Sequence, residues 1–153
     1  MFVIYQPEGQ QEPTRYEFRP GRIRSGDAST LLRHYKRLSG NLQATWEGFK
    51  AIACPSGDPE AKRIMLWHCQ RADHAKLRID DVDPFDDEVS IELNREELLD
   101  LRAQIVAARG MGEDQKEVIL DRIDMDIANM DAPAAEDVLQ EPGKSPEDTT
   151  STS

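Results

Sequence analysis

Residues 58–71 constrain the fold more than any other stretch of this sequence. Asp58 can accept hydrogen bonds from the free amides of a helix start, Pro59 suits the first helical position, and Glu60 lies beside the positive end of the helix dipole. The helix so begun is predicted to run to about Arg71. Ala61, Ile64, Met65, Leu66, Trp67 and Cys69 make it apolar around most of its circumference. A helix of that kind is buried either at the centre of a domain or against a partner, and the central position is the simpler reading.

The rest of the chain must supply layers to cover it. Phe2-Val3-Ile4-Tyr5 and Arg15-Tyr16-Glu17-Phe18-Arg19 read as two short strands around a loop holding Pro7, Gly9 and Pro13, hence a hairpin. A helix is predicted over 28–38, capped by Asp27 or Ser25, with Leu31, Leu32, Tyr35 and Leu38 in its stripe and Gly40 at its C-terminal cap; Arg33, Lys36 and Arg37 form its basic outer face. A shorter helix is expected from Thr45 to Ala53, ended by Pro55-Ser56-Gly57. Leu77-Arg78-Ile79 and Val89-Ser90-Ile91-Glu92-Leu93 look like strands. Asn94 and Glu97 form a capping-box pattern ahead of a stripe of Leu98, Leu101, Ile105 and Ala108 up to Gly110. A last helix carries Leu120, Ile123, Ile127 and Met130, ends before Pro133, and should pair antiparallel with its predecessor. The expected class is α+β, mostly helical: an N-terminal β-hairpin or small sheet packed with about five helices in a single domain over 1–130. Residues 131–153 are poor in large apolar side chains and rich in Pro, Ser, Thr and acid, so a disordered acidic tail is predicted there.

With 153 residues the chain suits one domain. No apolar run approaches the roughly 20 residues that cross a bilayer, and the N-terminal segment lacks the basic flank of a signal peptide, so no membrane role and a cytoplasmic location are expected. The two cysteines, Cys54 and Cys69, are too few for a disulfide scaffold. The net charge of −11 divides into 13 Lys+Arg against 8 Asp+Glu over residues 1–78, or +5, and 6 against 22 over residues 79–153, or −16. Either the two halves face each other or are simply solvated, or the acidic half attracts a basic partner. Sequence-independent DNA binding by the whole chain is disfavoured.

Little in the sequence carries chemistry. His68, Cys69 and His74, with Cys54 upstream, do not have zinc-ligand spacing, and neighbours on one helix point about 100° apart. The acidic loop, with Asp80, Asp81, Asp83, Asp86 and Asp87, invites a calcium reading, but Phe85 or Val89 breaks the ligand alternation and no Gly occurs. A solvated loop or a partner-facing acidic edge fits better. Neither a phosphate-binding Gly-rich loop nor a nucleophile elbow is present, so the chain is read as a non-enzyme without cofactor or metal. Arg15, Arg19, Arg22 and Arg24 lie near Tyr16 and Phe18, but the strand alternation assigns those rings to the core, so no nucleic-acid role is expected.

Four segments in order carry a resemblance: Arg15-Tyr16-Glu17-Phe18-Arg19-Pro20, Thr45-Trp46-Glu47-Gly48-Phe49, Gly57-Asp58-Pro59-Glu60-Ala61-Lys62-Arg63-Ile64-Met65-Leu66-Trp67, and Leu77-Arg78-Ile79-Asp80-Asp81-Val82-Asp83. Over residues 1 to about 100 the chain resembles the tail assembly chaperones of long-tailed, siphovirus-type bacteriophages, especially those infecting actinobacteria. The basic helix from Leu31 to Leu38 departs from the more acidic character of the family there. The resemblance implies a protein of the host cytoplasm, missing from the mature virion. Such a protein binds and solubilises the tape measure protein and helps recruit the tail tube protein. It also implies a longer, frameshifted form, for which Pro142-Gly143-Lys144 permits a slippery codon sequence, and a homo-oligomer stays open. A groove for the partner is placed on Trp46, Phe49, Ile64, Leu66 and Trp67. The alternatives are a structural head-tail connector or tail accessory protein, or a small metal- or nucleic-acid-binding regulator.

Overall fold

The computed structural model describes residues 1–132. Three strands, β1 (Phe2–Tyr5), β2 (Thr14–Glu17) and β3 (Val89–Glu92), form one antiparallel sheet in the order β2-β1-β3. Val3 is opposite Tyr16 on one side and Ile91 on the other. Five helical segments surround it: α1 (Ser25–Ser39), α2 (residues 46–56), α3 (Pro59–Gln70), α4 (Arg95–Ala107) and α5 (Glu113–Asp131). The α+β class with a small sheet and about five helices therefore holds. Among the described residues no helix is long and apolar enough to cross a membrane.

α3 is the centre, as its all-round apolar surface requires. Asp58 Oδ1 accepts from the amides of Glu60 (3.0 Å) and Ala61 (3.1 Å), which starts the helix on the residue the sequence marks. Ile64 and Met65 are wholly buried, and the helix packs on the sheet and on α1. A second, smaller core of Leu93, Leu98, Leu101, Ile105 and Ile123 lies beneath the α4–α5 pair, and Ile91 of β3 packs against both cores. The capping box forms as expected: the Glu97 amide donates to Asn94 Oδ1 and the Asn94 amide to Glu97 Oε2, each at 2.8 Å.

Four local expectations are corrected. Leu77-Arg78-Ile79 is not a strand; the segment enters a 3₁₀ turn at Ile79–Asp81, because the Asp81 carboxylate accepts from the Arg78 amide (3.0 Å) and closes the backbone on itself. α1 begins at Ser25, so Ser25 and Asp27 lie inside its first turn and neither caps it, while Gly40 ends it at φ 73° as expected. α2 does not stop at Ala53. Its first turn, Trp46–Gly48, is capped by Thr45 Oγ1, a wide π turn spans Phe49–Ala53, and Cys54–Ser56 continues it. Pro55, which lacks an N–H, follows the π turn directly and falls in the first turn of the last segment. Gly57, at φ 73°, then ends the helix, with the Asp58 amide donating to Ala53 and the Gly57 amide to Cys54. The helix end also moves: Asp131, read as the first residue of the tail, belongs to α5, and its carboxylate pairs with Arg95 at 2.9 Å. The rest of the predicted tail, with Pro142-Gly143-Lys144, lies outside the described residues.

Candidate functional site

The groove expected on the aromatic segment and α3 is not a surface. Phe49 and Leu66 are 1% exposed, Ile64 is 0% and Trp67 5%. The reason is the position of α3: with the sheet on one side and α1 on another, nearly all of its apolar surface is used inside the chain. Phe49 is held between the rings of Tyr35 (5.0 Å) and Trp46 (5.5 Å). Trp46 alone is half-buried, with the Lys50 ammonium 6.0 Å from its ring.

The soft-ligand residues are dispersed into packing roles. Cys54 is buried, and burial pushes the Cys69 thiol up to about 12, so neither is a ready thiolate. The His68 ring meets the edge of Phe18 at 5.8 Å, and His74 is exposed.

The acidic loop divides between local structure and free charge. Asp80 lies 3.4 Å from Arg37 and 3.5 Å from Arg78, Asp81 caps its own turn, and Asp86 pairs with Lys62 at 2.5 Å. Asp83 and Asp87 are exposed and form no ion pair among the described residues.

Asp86 and Asp87 lead into a large concavity, a groove of about 950 Å³ between the α2–α3 turn, β3 and the α4–α5 pair. Its floor is apolar, formed by Ile91 and Leu93 of the sheet edge, Leu98 and Leu101 of α4, and Ile119 and Ile123 of α5. Successive strand side chains alternate between faces, so lining by every residue from Val89 to Leu93 means that the groove runs along the open edge of β3. Lys62 protects one end of that edge: its side chain is almost fully buried, and its ammonium donates to the carbonyls of Asp86 (2.9 Å) and Val89 (3.0 Å). On the α5 side, Val118 is 70% exposed and Met130 47%. The rim carries Asp58, Asp86, Asp87, Glu92 and Asp126 against Lys62 and Arg122. Lys62 pairs with Asp86 and Arg15 with Glu92, which leaves Asp58, Asp87 and Asp126 against Arg122, so the rim stays net acidic.

No family model, curated protein or solved structure matches this chain. The groove therefore carries the functional reading by its own chemistry. An apolar floor with an acidic rim accepts a helix whose apolar stripe is flanked by Lys or Arg. The sequence held one signal of it. α5 bears Val118 and Met125 off its Leu120, Ile123, Ile127 stripe, more apolar surface than one antiparallel neighbour can bury, and these two residues stay exposed.

Proposed function

We propose that this chain is a non-enzymatic tail assembly chaperone of a long-tailed bacteriophage, which holds amphipathic helical segments of the tape measure protein in solution during assembly. The observation that supports the reading is the acid-rimmed apolar groove along β3 and α5. A long helical protein presents apolar stripes that aggregate when uncovered, and a groove of this kind covers such a stripe while its acidic rim keeps the complex charged and dispersed. The groove replaces Trp46, Phe49, Ile64, Leu66 and Trp67 as the partner surface in this proposal, and keeps Asp86 and Asp87 of the acidic loop. Recruitment of tail tube protein, action in the host cytoplasm and absence from the virion belong to the same proposal.

Co-expression with the tape measure protein tests it. The wild-type chain is expected to hold that protein in the soluble fraction. Val118→Asp and Met130→Asp, which alter only exposed positions, should lose this ability while retaining the wild-type far-ultraviolet spectrum. A tape measure protein equally soluble with and without the chain overturns the reading. Abundant chain in purified virions shifts it to a structural connector.

A further inference from the structure

A second concavity, which shares no lining residue with the groove, has the opposite charge. It is a cleft of about 460 Å³ between α1 and residues 71–80, over the indole of Trp67. Arg37, Arg71, Lys76 and Arg78 line it, and Asp80 is the one carboxylate among its lining residues. Four cations facing one anion would repel one another unless something held them. Here the aromatic base holds one of them, Arg71, and Asp80 loosely holds Arg37 and Arg78. The Arg71 guanidinium lies 4.5 Å from the centre of the Trp67 ring, and Trp67 is fixed from below by its indole N–H, which donates to the Leu77 carbonyl at 3.0 Å. The His34 ring packs edge-on to the same indole at 5.0 Å, and its Nδ1 is a buried atom without a hydrogen-bond partner among the described residues. Burial, with Arg37 and Arg33 next, lowers the His34 pKa, so the cleft avoids adding a further positive charge near neutral pH.

Arg71 and Lys76 have no ion pair among the described residues. Asp80 satisfies Arg37 and Arg78 only at 3.4 and 3.5 Å, beyond the usual length of a charge-assisted hydrogen bond. We propose that this cleft binds an acidic protein segment, taking Asp or Glu carboxylates on Arg71, Lys76 and the two arginines that Asp80 loosely occupies. The anion already there is a carboxylate, and the cations are spread along a cleft much larger than a single small oxyanion, which favours a run of carboxylates. Asp80 then acts as an internal competitor that an incoming carboxylate displaces.

The test is calorimetric titration of the full-length chain with a short polyglutamate peptide and, separately, with inorganic phosphate. The expected result is saturable, salt-sensitive peptide binding, weakened about tenfold by Arg71→Ala and by Lys76→Ala, as follows from losing one charge-assisted contact. Lys76 is exposed and unpaired among the described residues, so its variant reports on the site without threatening the fold. Asp80→Asn should tighten binding about threefold, on the scale of one exposed ion pair. Asp121→Asn on α5, the same change of net charge away from the cleft, should leave it unchanged. Equal affinity in all variants, absence of saturable peptide binding, or phosphate binding as tightly as the peptide each overturns the proposal. None of these outcomes depends on tape measure solubility, so the two proposals can fail separately.

Discussion

Phe49 and Trp46, one turn apart, show how burial rather than residue type decides what an aromatic does. Phe49 is 1% exposed and enclosed by Tyr35 and Trp46, so Phe49→Ala should cost about 3–5 kcal/mol in urea unfolding. Trp46→Ala opens no enclosed cavity and should cost clearly less. His34 and His68 set a pH dependence of a definite sign. Burial is the largest cause for each, and both pKa values lie below 6.5 in the folded chain. The unfolded chain therefore takes up protons first as the pH falls, and the stability these rings contribute, fully present above 6.5, is lost as the pH drops through 6.5 toward the folded values. Arg37, Arg33 and Arg71 oppose the charging of His34 and Asp80 favours it, whereas at His68 Asp27 favours charging and Arg71 opposes it. The urea midpoint should fall between about pH 7.5 and 5.5, above the ordinary carboxylate range, and the double variant His34→Gln, His68→Gln should show a shallower fall.

At the scale of elements, the helices with local punctuation were legible in the sequence. Asp58-Pro59 and the Asn94–Glu97 pair begin α3 and α4 where the cap chemistry places them, because an N-cap is decided by a few neighbouring residues. Leu77-Arg78-Ile79 has strand composition, but the Asp81 side chain accepts from the Arg78 amide and turns the backbone away from strand pairing. The candidate groove needed non-local information. Ile64, Leu66 and Trp67 are as apolar as any docking surface, and only tertiary packing shows that they are consumed inside. Caps and surface ion pairs should also separate by experiment. Asn94→Ala removes the side-chain acceptor of the Glu97 amide, while its own backbone amide can still donate to Glu97, and should cost about 1 kcal/mol in urea unfolding. The Arg102–Asp124 pair linking α4 to α5 at 2.7 Å lies at the surface with both side chains about half exposed, so Arg102→Ala should leave the urea midpoint unchanged within error, although the hydrogen bond from Arg102 lowers the Asp124 pKa.

Across the whole molecule, the charge division read from the sequence becomes a division of surfaces: a basic cleft at α1 and residues 71–80, and an acid-rimmed groove along β3 and α5. The same acidity that suits the groove to a basic helix also shields the exposed Val118, Met125 and Met130 of α5 from one another when the groove is empty. That protection depends on net charge, which is −11 at neutral pH and vanishes near the isoelectric point of about 4.7. Repulsion between molecules then fades while the apolar residues of α5 remain exposed. Light scattering should accordingly rise as the pH approaches 4.7, and a Val118→Ser, Met125→Ser variant should scatter less at the same pH and concentration. If the two chains scattered alike, the association would come from neutralised charge or acid unfolding alone. The exposed face of α5 would then have no part in keeping the free protein dispersed.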